Sequence, residues 1–406
     1  MSEPTQTSRK RLAIVTTVWR YLSHAQHMGD RFLVGYPWNG RWHRPAMDVV
    51  SLYVDQRPDG DQSAERAREF AFKVYPTIAE ALRTSGDMLA VDGILVIGEH
   101  GDYPVNAKGQ IQYPRYEFFR EIVKVFEADG RSVPVFNDKH LSYSTEKARA
   151  MVADSKRLKF PMLAGSSLPV TWRLPPVEVP MDVAIDEALM VGCGGSDPMD
   201  FHALEAMQCM LERRKGGESG VKAVQLIEGP AVWQAGQDGR WSRRLLEAAL
   251  SRSTSRPGKA GEDGRTQDLT RSGELEELVK QPAAYLIEYN DGLRATLLML
   301  NGATSDYTFA CRLRDGGKLV STQFLLPVTP NVTYSACLMN KVEEMIATGV
   351  APYPVERTEL VSCLLDQCLE SKVRGHQRLP TPQLNIRYRA PKESQFGGGN
   401  TPYTVA

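Results

Sequence analysis

The chain has 406 residues, which is long for one domain and sufficient for two domains that each bury a hydrophobic core. Lysine and arginine together number 49, as do aspartate and glutamate, so no net charge favours nucleic acid or an anionic membrane as a partner. No apolar run approaches the ~20 residues that cross a bilayer, and the first residues lack an apolar signal core, so the sequence predicts a cytoplasmic protein.

The first part of the chain alternates predicted strands and helices. Apolar runs predict strands at residues 11–17, 49–55, 91–97, 133–136 and 161–165. Amphipathic patterns predict helices at residues 19–26, 63–72, 77–83, 116–128 and 144–156. Residues 28–48, rich in Gly, Pro and Trp, are predicted to be irregular. Strands that alternate with helices and lack tight hairpins predict right-handed crossovers and a doubly wound parallel sheet of the Rossmann type in residues 1–175.

The composition changes after Pro176, where we place a domain boundary. Residues 176–390 predict an α+β domain with an open, mostly antiparallel sheet, because turn signals separate the strand patterns at 283–289, 293–300 and 307–313. Helices are predicted at residues 200–214, 335–347 and 358–372. Residues 251–272 are polar and predict a mobile loop, and residues 391–406 form a tail rich in Gly and Pro.

The six cysteines include no C-x-x-C pair and lie in mostly apolar surroundings. Disulfide and zinc frameworks both show characteristic cysteine spacings. The sequence therefore predicts reduced cysteines in the hydrophobic core.

Ionisable side chains follow two of the predicted parallel strands. Asp138, Lys139 and His140 come after the strand at 133–136, and His100 comes after the strand at 91–97. The carboxyl ends of parallel strands form the edge at which open α/β sheets place their chemistry. The alternative interpretation is a solvated turn in which Ser144 caps the next helix.

Several segments, in their order along the chain, resemble one enzyme family. The segment 50–82 is similar to a family strand that ends in an acidic residue, and to the helices that follow that strand. The segment 91–100 is similar to a strand and loop in which the family carries a His. Asn137-Asp-Lys-His-Leu141 stands where the family has Glu-Lys-Pro and a Leu. The segment 194–205 is similar to a Gly-rich turn and an Asp/His helix, and 345–375 to the closing helices. The chain thus resembles the Gfo/Idh/MocA family, named after glucose-fructose oxidoreductase, inositol dehydrogenase and a rhizopine catabolic enzyme.

The resemblance implies an NAD- or NADP-dependent oxidoreductase that acts on a sugar, polyol or sugar-like small molecule. It implies that Lys139 and His202 are catalytic, with Lys139 orienting a substrate hydroxyl and His202 taking its proton. The cofactor-binding candidates are Thr16, Thr17, Asp55 and His100, and the substrate-binding candidates are Asp102, Tyr103, Arg115, Trp172 and Arg173. It also implies a homo-oligomer formed through the second sheet.

The phosphate-binding turn departs from the family pattern. Thr16, Val18 and Tyr21 stand where the family has the three glycines of G-x-G-x-x-G, which let backbone amides approach a pyrophosphate. The sequence therefore predicts that the dinucleotide binds weakly or in a displaced pose, although Asp55 keeps the ribose-binding carboxylate.

Two alternatives remain open at this stage. A divalent metal, Mn²⁺ or Zn²⁺, would suit the imidazoles and carboxylates that the sequence gathers from three segments. The chain would then be a dinucleotide-independent lyase or hydrolase, with a metal set drawn from His100, Asp138, His140, Asp200 and His202. The second alternative is a non-catalytic binding paralogue that has lost its glycines.

Overall fold

The computed structural model describes residues 9–328 and 332–397. The start of the chain before Arg9 and the last residues of the predicted tail, 398–406, lie outside the described residues. No helix in the described ranges is both long and apolar enough to cross a membrane.

The first sheet is parallel throughout and has six strands in the order β5-β4-β1-β6-β7-β8. Its segment of the chain contains β1 (Lys10–Thr16), α1 (His24–Leu33), β2 (Tyr36–Trp38), β3 (Arg41–His43), β4 (Met47–Val54), α2 (Ser63–Glu69), β5 (Lys73–Tyr75), α3 (Ile78–Arg83), β6 (Gly93–Ile97), α4 (Arg115–Asp129), β7 (Val135–Asp138), α5 (Thr145–Leu158) and β8 (Met162–Gly165). The central strands are buried on both faces, as continuous apolar runs predict. The doubly wound sheet expected from the sequence is confirmed.

The second sheet has eight strands in the order β16-β11-β12-β13-β10-β14-β15-β9. The elements are β9 (Trp172–Leu174), β10 (Ile185–Gly192), α6 (Pro198–Leu211), β11 (Val221–Glu228), α7 (Pro230–Gln237), α8 (Arg243–Leu250), α9 (Lys259–Asp263), α10 (Leu275–Leu278), β12 (Ala283–Tyr289), β13 (Arg294–Met299), β14 (Tyr307–Leu313), β15 (Leu319–Leu325), α11 (Tyr334–Thr348), α12 (Glu356–Val373) and β16 (Leu379–Pro380). Only β10 and β13 pair in parallel, so the predicted mostly antiparallel sheet is also confirmed.

The strands β13 and β14 are not neighbours, although the Asn301-Gly302 turn signal between them predicted antiparallel pairing. β10 lies between them, parallel to β13 and antiparallel to β14. The two strands therefore belong to the predicted sheet but form no hairpin. The turn at Gly302, with φ of 100°, directs the chain past β10 to its other side.

Helices cover both faces of the second sheet. α6 and α12 pack on the face toward the first domain. On the opposite face Leu189, Val191 and Leu298 pack against Trp241 and Leu246 from the α7–α8 segment. The apolar face that motivated the predicted homo-oligomer is therefore covered by the chain itself, and oligomerisation through this sheet stays a prediction.

The helix predicted at residues 19–26 begins later in the structure, at His24. Leu22 has a φ of 59°, a left-handed conformation that cannot continue a right-handed helix, and Ser23 caps the helix that follows. Trp19 is instead fully buried, with its ring packed against Gly29 of α1. The stretch 28–48, predicted to be irregular, contains most of α1 and the β2–β3 hairpin.

Two further sequence predictions concern the cysteines and the polar segment 251–272. All six cysteines are free, and five of them are buried, as predicted.

The polar segment 251–272 contains only the short helix α9. Its mobility stays a prediction.

Glu205 of α6 ties three elements together from a fully buried position. Its Oε1 accepts a hydrogen bond from Thr358 Oγ1 of α12 at 2.6 Å, and its Oε2 accepts one from the Ser166 amide after β8 at 2.5 Å. Burial raises the pKa of Glu205 to about 7. The folded chain thus keeps a proton that the unfolded chain releases near pH 4.5.

We predict that Glu205→Gln removes a pH-dependent loss of stability. Because the pKa is raised by folding, the unfolding free energy of the parent falls as pH rises from about 4.5 to about 7, by on the order of 3 kcal/mol. Denaturant titrations at several pH values should show that the unfolding free energy of the variant rises relative to that of the parent as the pH increases across this window. The exposed Glu121→Gln is the matched control, and equal pH slopes in the Glu205 variant and the parent would contradict the assignment.

Candidate functional site

The residues of interest lie where the carboxyl ends of β6, β7 and β8 meet the N-terminal ends of α1 and α6. Glu99 and His100 follow β6, Lys139 and His140 follow β7, and Ser166 follows β8. Parallel pairing of the three strands brings these ends to one edge of the first sheet. The clustering of ionisable residues predicted for this edge is thus a consequence of strand order.

The Glu99 cluster consists of Glu99, Arg115, Lys139, His140 and Asp197. Lys139 Nζ lies 3.0 Å from Glu99 Oε1, and Arg115 donates to the other oxygen of the same carboxylate. Arg115 also donates to His140 Nε2 at 3.3 Å, and that nitrogen lies 3.6 Å from Asp197 Oδ2. All five side chains are buried, and Lys139 is only 1% exposed. One carboxylate therefore pairs with two cations inside the protein.

The turn after β7 holds Lys139 in an unusual backbone conformation. Its φ is 59°, in the left-handed region that residues other than Gly, Asn and Asp rarely adopt. The Lys139 amide donates to Gly165 O at 3.1 Å, and the Asn137 side chain donates to the carbonyls of Asp138 and His140. Local strain of this kind is retained where surrounding contacts enforce it, and it is frequent at functional sites.

Burial and neighbouring charges shift the pKa values of this cluster in different directions. Burial would raise the pKa of Glu99, but the charges of Lys139 and Arg115 outweigh it and hold the pKa below its usual range. Burial and the charge of Arg115 lower the pKa of His140. Burial also raises the pKa of Asp197 to about 6. The cluster therefore contains an ionised carboxylate, a neutral imidazole and a carboxyl group that titrates near neutrality.

His202 on α6 pairs with the residue after β8. Its Nδ1 lies 2.5 Å from Ser166 Oγ, which accepts from the Leu168 amide and, in the tautomer that has the proton on Nδ1, from the ring as well. Burial, followed by the charge of Lys139, lowers the pKa of His202. His202 is thus a neutral imidazole within the electrostatic influence of Lys139.

Three imidazoles lie beside the Glu99 cluster, at the N-terminal end of α1. His24 Nδ1 is 2.6 Å from Asp138 Oδ2, and the ring centroid of His24 lies 4.9 Å from that of His27 and 5.4 Å from that of His100. Burial and the neighbouring His24 lower the pKa of His27, and they lower that of His100 to about 4. We call His24, His27 and His100 the imidazole group.

The turn between β1 and α1 does not fit a conventionally bound pyrophosphate. Ser23 Oγ accepts from the amides of Arg20 and Gln26, and the Gln26 side chain accepts from the Leu22 amide. These amides stand at the start of the helix, where a dinucleotide phosphate would need free donors. Val18 is fully buried, whereas Tyr21 is 68% exposed.

The other predicted cofactor-binding residues also have partners within the chain. The hydroxyls of Thr16 and Thr17 donate to Ile97 O at 2.8 Å and to Glu99 O at 2.7 Å. The exposed Asp55 carboxylate accepts from the hydroxyls of Tyr53 and Tyr103, each at 2.8 Å. Of these three residues, Asp55 is the one with an exposed polar group available to a ribose.

The predicted substrate-binding residues lie in three places, and one of them, Arg115, belongs to the Glu99 cluster. Tyr103 contacts Asp55, and the Asp102 backbone pairs with the Gln56 side chain, both near the end of β4. Trp172 and Arg173 are buried in β9 at the edge of the second sheet. Arg173 pairs with Glu178 at 3.1 Å and lies between aromatic rings, which indicates a structural role.

The five residues of the predicted metal set, which were His100, Asp138, His140, Asp200 and His202, do not meet at one point. Asp200 accepts from the Asp197 amide and the Tyr285 hydroxyl, because it is the third residue of α6 and caps the helix start. His140 and His202 have the separate partners described above. Within residues 9–328 and 332–397, no group of three or more His, Cys, Asp or Glu side chains could hold a metal ion.

Several residues of the site were not predicted from the sequence, namely Glu99, Ser166, Asp197, His24 and His27. A signal existed for the two histidines, because their i, i+3 spacing places them on one face of a helix. Glu99 directly precedes the candidate His100 in the sequence but carried no signal of its own. Its role depends on Arg115 and Lys139, which lie far from it along the chain.

Comparisons with known proteins support the fold. No protein-family model matches the sequence, and no curated protein matches it. The solved structure of GenD2 from gentamicin A biosynthesis, in complex with NAD, is similar with a TM-score of 0.54 at 13% identity over 94% of this chain and 99% of that one. A myo-inositol dehydrogenase from Lactobacillus casei, in complex with NAD(H) and myo-inositol, has a TM-score of 0.54 at 10% identity over 91% and 96% of the two chains.

A probable dehydrogenase from Thermotoga maritima is similar to the same degree, with a TM-score of 0.54 at 11% identity over 92% of this chain and 99% of that one. These TM-scores establish a shared fold over nearly the whole length. The fold implied by the resemblance to the Gfo/Idh/MocA family is therefore confirmed.

We predict weak binding of NAD and NADP to this chain. Each charge-assisted hydrogen bond between an amide and a phosphate contributes about 1.5–3 kcal/mol, so the loss of two weakens binding roughly a hundredfold or more. A titration that follows tryptophan fluorescence should give dissociation constants well above the micromolar range. Low-micromolar affinity for either dinucleotide would contradict the description of the β1–α1 turn.

Proposed function

We propose that this chain is an enzyme that acts on a hydroxylated small molecule of the sugar or polyol type, at the Glu99 cluster. The observation that carries the proposal is the buried Lys139. Its ammonium is held by Glu99, its backbone is strained, and its charge lowers the pKa of His202. A buried cation beside a neutral imidazole is a combination suited to proton transfer.

In this proposal Lys139 and His202 have different tasks. The Lys139 ammonium donates a hydrogen bond to a substrate hydroxyl and stabilises the negative charge that develops on its oxygen. His202, kept neutral by burial and oriented by donation from its Nδ1–H to Ser166 Oγ, accepts the hydroxyl proton at Nε2. Glu99 and Arg115 position Lys139. Because Lys139, Glu99 and Arg115 are buried, a substrate reaches them only when the chain around them moves.

Oxidation or reduction is the reaction class that we propose first. It is supported by the fold that the chain shares with GenD2 and the inositol dehydrogenase, both solved with a nicotinamide dinucleotide. In this class NAD or NADP would accept or supply the hydride. The β1–α1 turn does not fit the pyrophosphate of a conventionally bound cofactor, so we assign no hydride-transfer step to the residues described.

A redox-neutral reaction, of the lyase or hydrolase type, is the second candidate. The specific observation in its favour is the imidazole group, which occupies the N-terminal end of α1 where a dinucleotide would otherwise bind. The two candidates share Lys139 and His202. They differ in whether turnover requires added NAD or NADP.

We predict that Lys139→Met lowers turnover by ~10²–10⁴, the usual contribution of one positioned proton-transfer group. The assay is a panel of sugars and polyols with and without NAD or NADP, read by nicotinamide absorbance and by mass spectrometry of the products. Methionine preserves most of the buried volume, and the surface-exposed Lys372→Met, which loses a pair with Glu228, is the matched control.

Turnover by the Lys139 variant at the parent rate would exclude the Glu99 cluster as the active site. Products formed only with a dinucleotide support the first candidate, and products formed without one support the second. No turnover of any compound in the panel would favour the non-catalytic paralogue and contradict the proposal.

A further inference from the structure

The loop between β6 and α4, residues 101–113, packs against the Glu99 cluster. It begins directly after Glu99 and His100 and ends two residues before Arg115, so a member of the cluster stands at each end of the loop. The centre of the Tyr113 ring lies 5.0 Å from Arg115 Cζ, and Tyr113 is only 5% exposed. The loop is therefore part of what excludes solvent from the cluster.

The loop is a compact unit that its own backbone holds together. Asn106 N donates to Gln110 O at 2.9 Å, and Gln112 N donates to Pro104 O at 2.8 Å. At the start of the loop Gly101 has a φ of 105°, a conformation that glycine adopts readily and other residues do not. A unit that is closed by its own bonds and begins at such a residue can turn as one body.

Side chains tie the first half of the loop to the first domain. The Gln56 side chain makes two hydrogen bonds of 2.9 Å with the backbone of Asp102, and the Tyr103 hydroxyl donates to Asp55 at 2.8 Å. These contacts lie close to Gly101 in the sequence. They therefore fix the base of the loop and leave its tip, residues 105–111, to be held by other contacts.

Two side chains at the tip reach the second domain. Lys108 Nζ lies 2.6 Å from Asp366 Oδ1 and 3.1 Å from Glu370 Oε2, and both carboxylates are on α12. Gln110 Nε2 donates at 3.0 Å to Oδ1 of Asp197, which belongs to the Glu99 cluster. The tip thus joins the surface of α12 to the buried start of α6.

The ion pairs of Lys108 are easier to open than the buried pair between Glu99 and Lys139. The side chain of Lys108 is 22% exposed and that of Glu370 is 24% exposed, so water hydrates these charges when they separate. Separation of a fully buried pair leaves charges without a partner or solvent. The chain around the cluster therefore yields first at the loop tip.

A surface cavity of about 530 Å³ lies beside the loop tip. It is lined by Asn106 and Lys108 of the loop and by Tyr143 and Ser144, which follow Lys139 closely in the sequence. Its volume and its hydroxyl, amide and charged groups suit a small hydroxylated molecule. The loop thus contacts this cavity through Lys108 and the Glu99 cluster through Gln110 and Tyr113.

We propose that residues 101–113 form a gate between this cavity and the Glu99 cluster, and that the contacts of Lys108 and Gln110 hold the gate shut. Opening turns the tip away from α12 and α6 about Gly101 and uncovers the Lys139 ammonium. The inference rests on the proposed function for the molecule that passes the gate, a hydroxylated substrate. Opening itself requires no substrate, because loops of this kind open by thermal fluctuation.

The experiment measures how fast N-hydroxysuccinimidyl acetate acetylates Lys139 in the full-length chain, with the rate at this residue read by peptide mass spectrometry. Because Lys139 is 1% exposed, the reagent reaches its amine from an open state. The rate is measured at several urea concentrations below the unfolding transition. A gate exposes little surface when it opens, so we expect a rate that is nearly independent of urea.

Lys108→Met removes both ion pairs and should raise the acetylation rate of Lys139 about tenfold, as expected for the loss of a charge-assisted contact. Hydrogen exchange in the peptide that contains the amides of Asn106 and Gln112 should accelerate by a similar factor. Lys124→Met is the matched control, since Lys124 pairs with Glu121 on the exposed face of α4, and it should leave both rates unchanged.

A Lys139 rate that rises with urea as steeply as global unfolding would overturn the proposal, and so would equal rates in the parent and in Lys108→Met. The urea dependence in the parent decides the matter should the variant fail to fold. The gate and the proposed function fail separately, because turnover of Lys139→Met tests the function and acetylation without substrate tests the gate.

Discussion

The ionic contact between Glu99 and its two cations is the interaction on which the site depends. Lys139 follows β7 and Arg115 begins α4, so one carboxylate after β6 joins three elements of the first domain. Removing one partner of a buried ion pair typically costs about 3–5 kcal/mol, although replacing the whole pair by apolar side chains is often neutral or stabilising. Stability alone therefore does not require these charges, which is the physical reason to assign them a chemical task.

The shared fold favours a bound dinucleotide, whereas the turn between β1 and α1 disfavours one. The sheet order and the second domain follow the fold of dehydrogenases solved with NAD, while Ser23 and Gln26 satisfy the amides at the start of α1. A fold can be retained while its sites change, because topology is stabilised by the core and chemistry depends on a few side chains. The imidazole group is the feature of this chain that stands near the altered turn.

Much of the fold could be predicted from the sequence, because apolar periodicity directly reflects burial. The bounds of β12 and β14 agree with their apolar patterns. The roles of Lys139 and His202 came from the family resemblance and stay predictions. The start of α1 was missed because the left-handed Leu22 depends on tertiary packing around Trp19. The position of β10 was missed because strand order depends on long-range pairing and not on local turn signals.

The measurement that tests the central claim most directly is a double-mutant cycle on Glu99 and Lys139, followed by both unfolding free energy and turnover. We expect Glu99→Gln alone to destabilise the protein by about 3–5 kcal/mol, because it leaves two buried cations uncompensated, and Glu99→Gln with Lys139→Met to recover part of that loss. The double variant should nonetheless remain inactive. Additive free energies, or turnover at the parent rate in the stable double variant, would contradict the account.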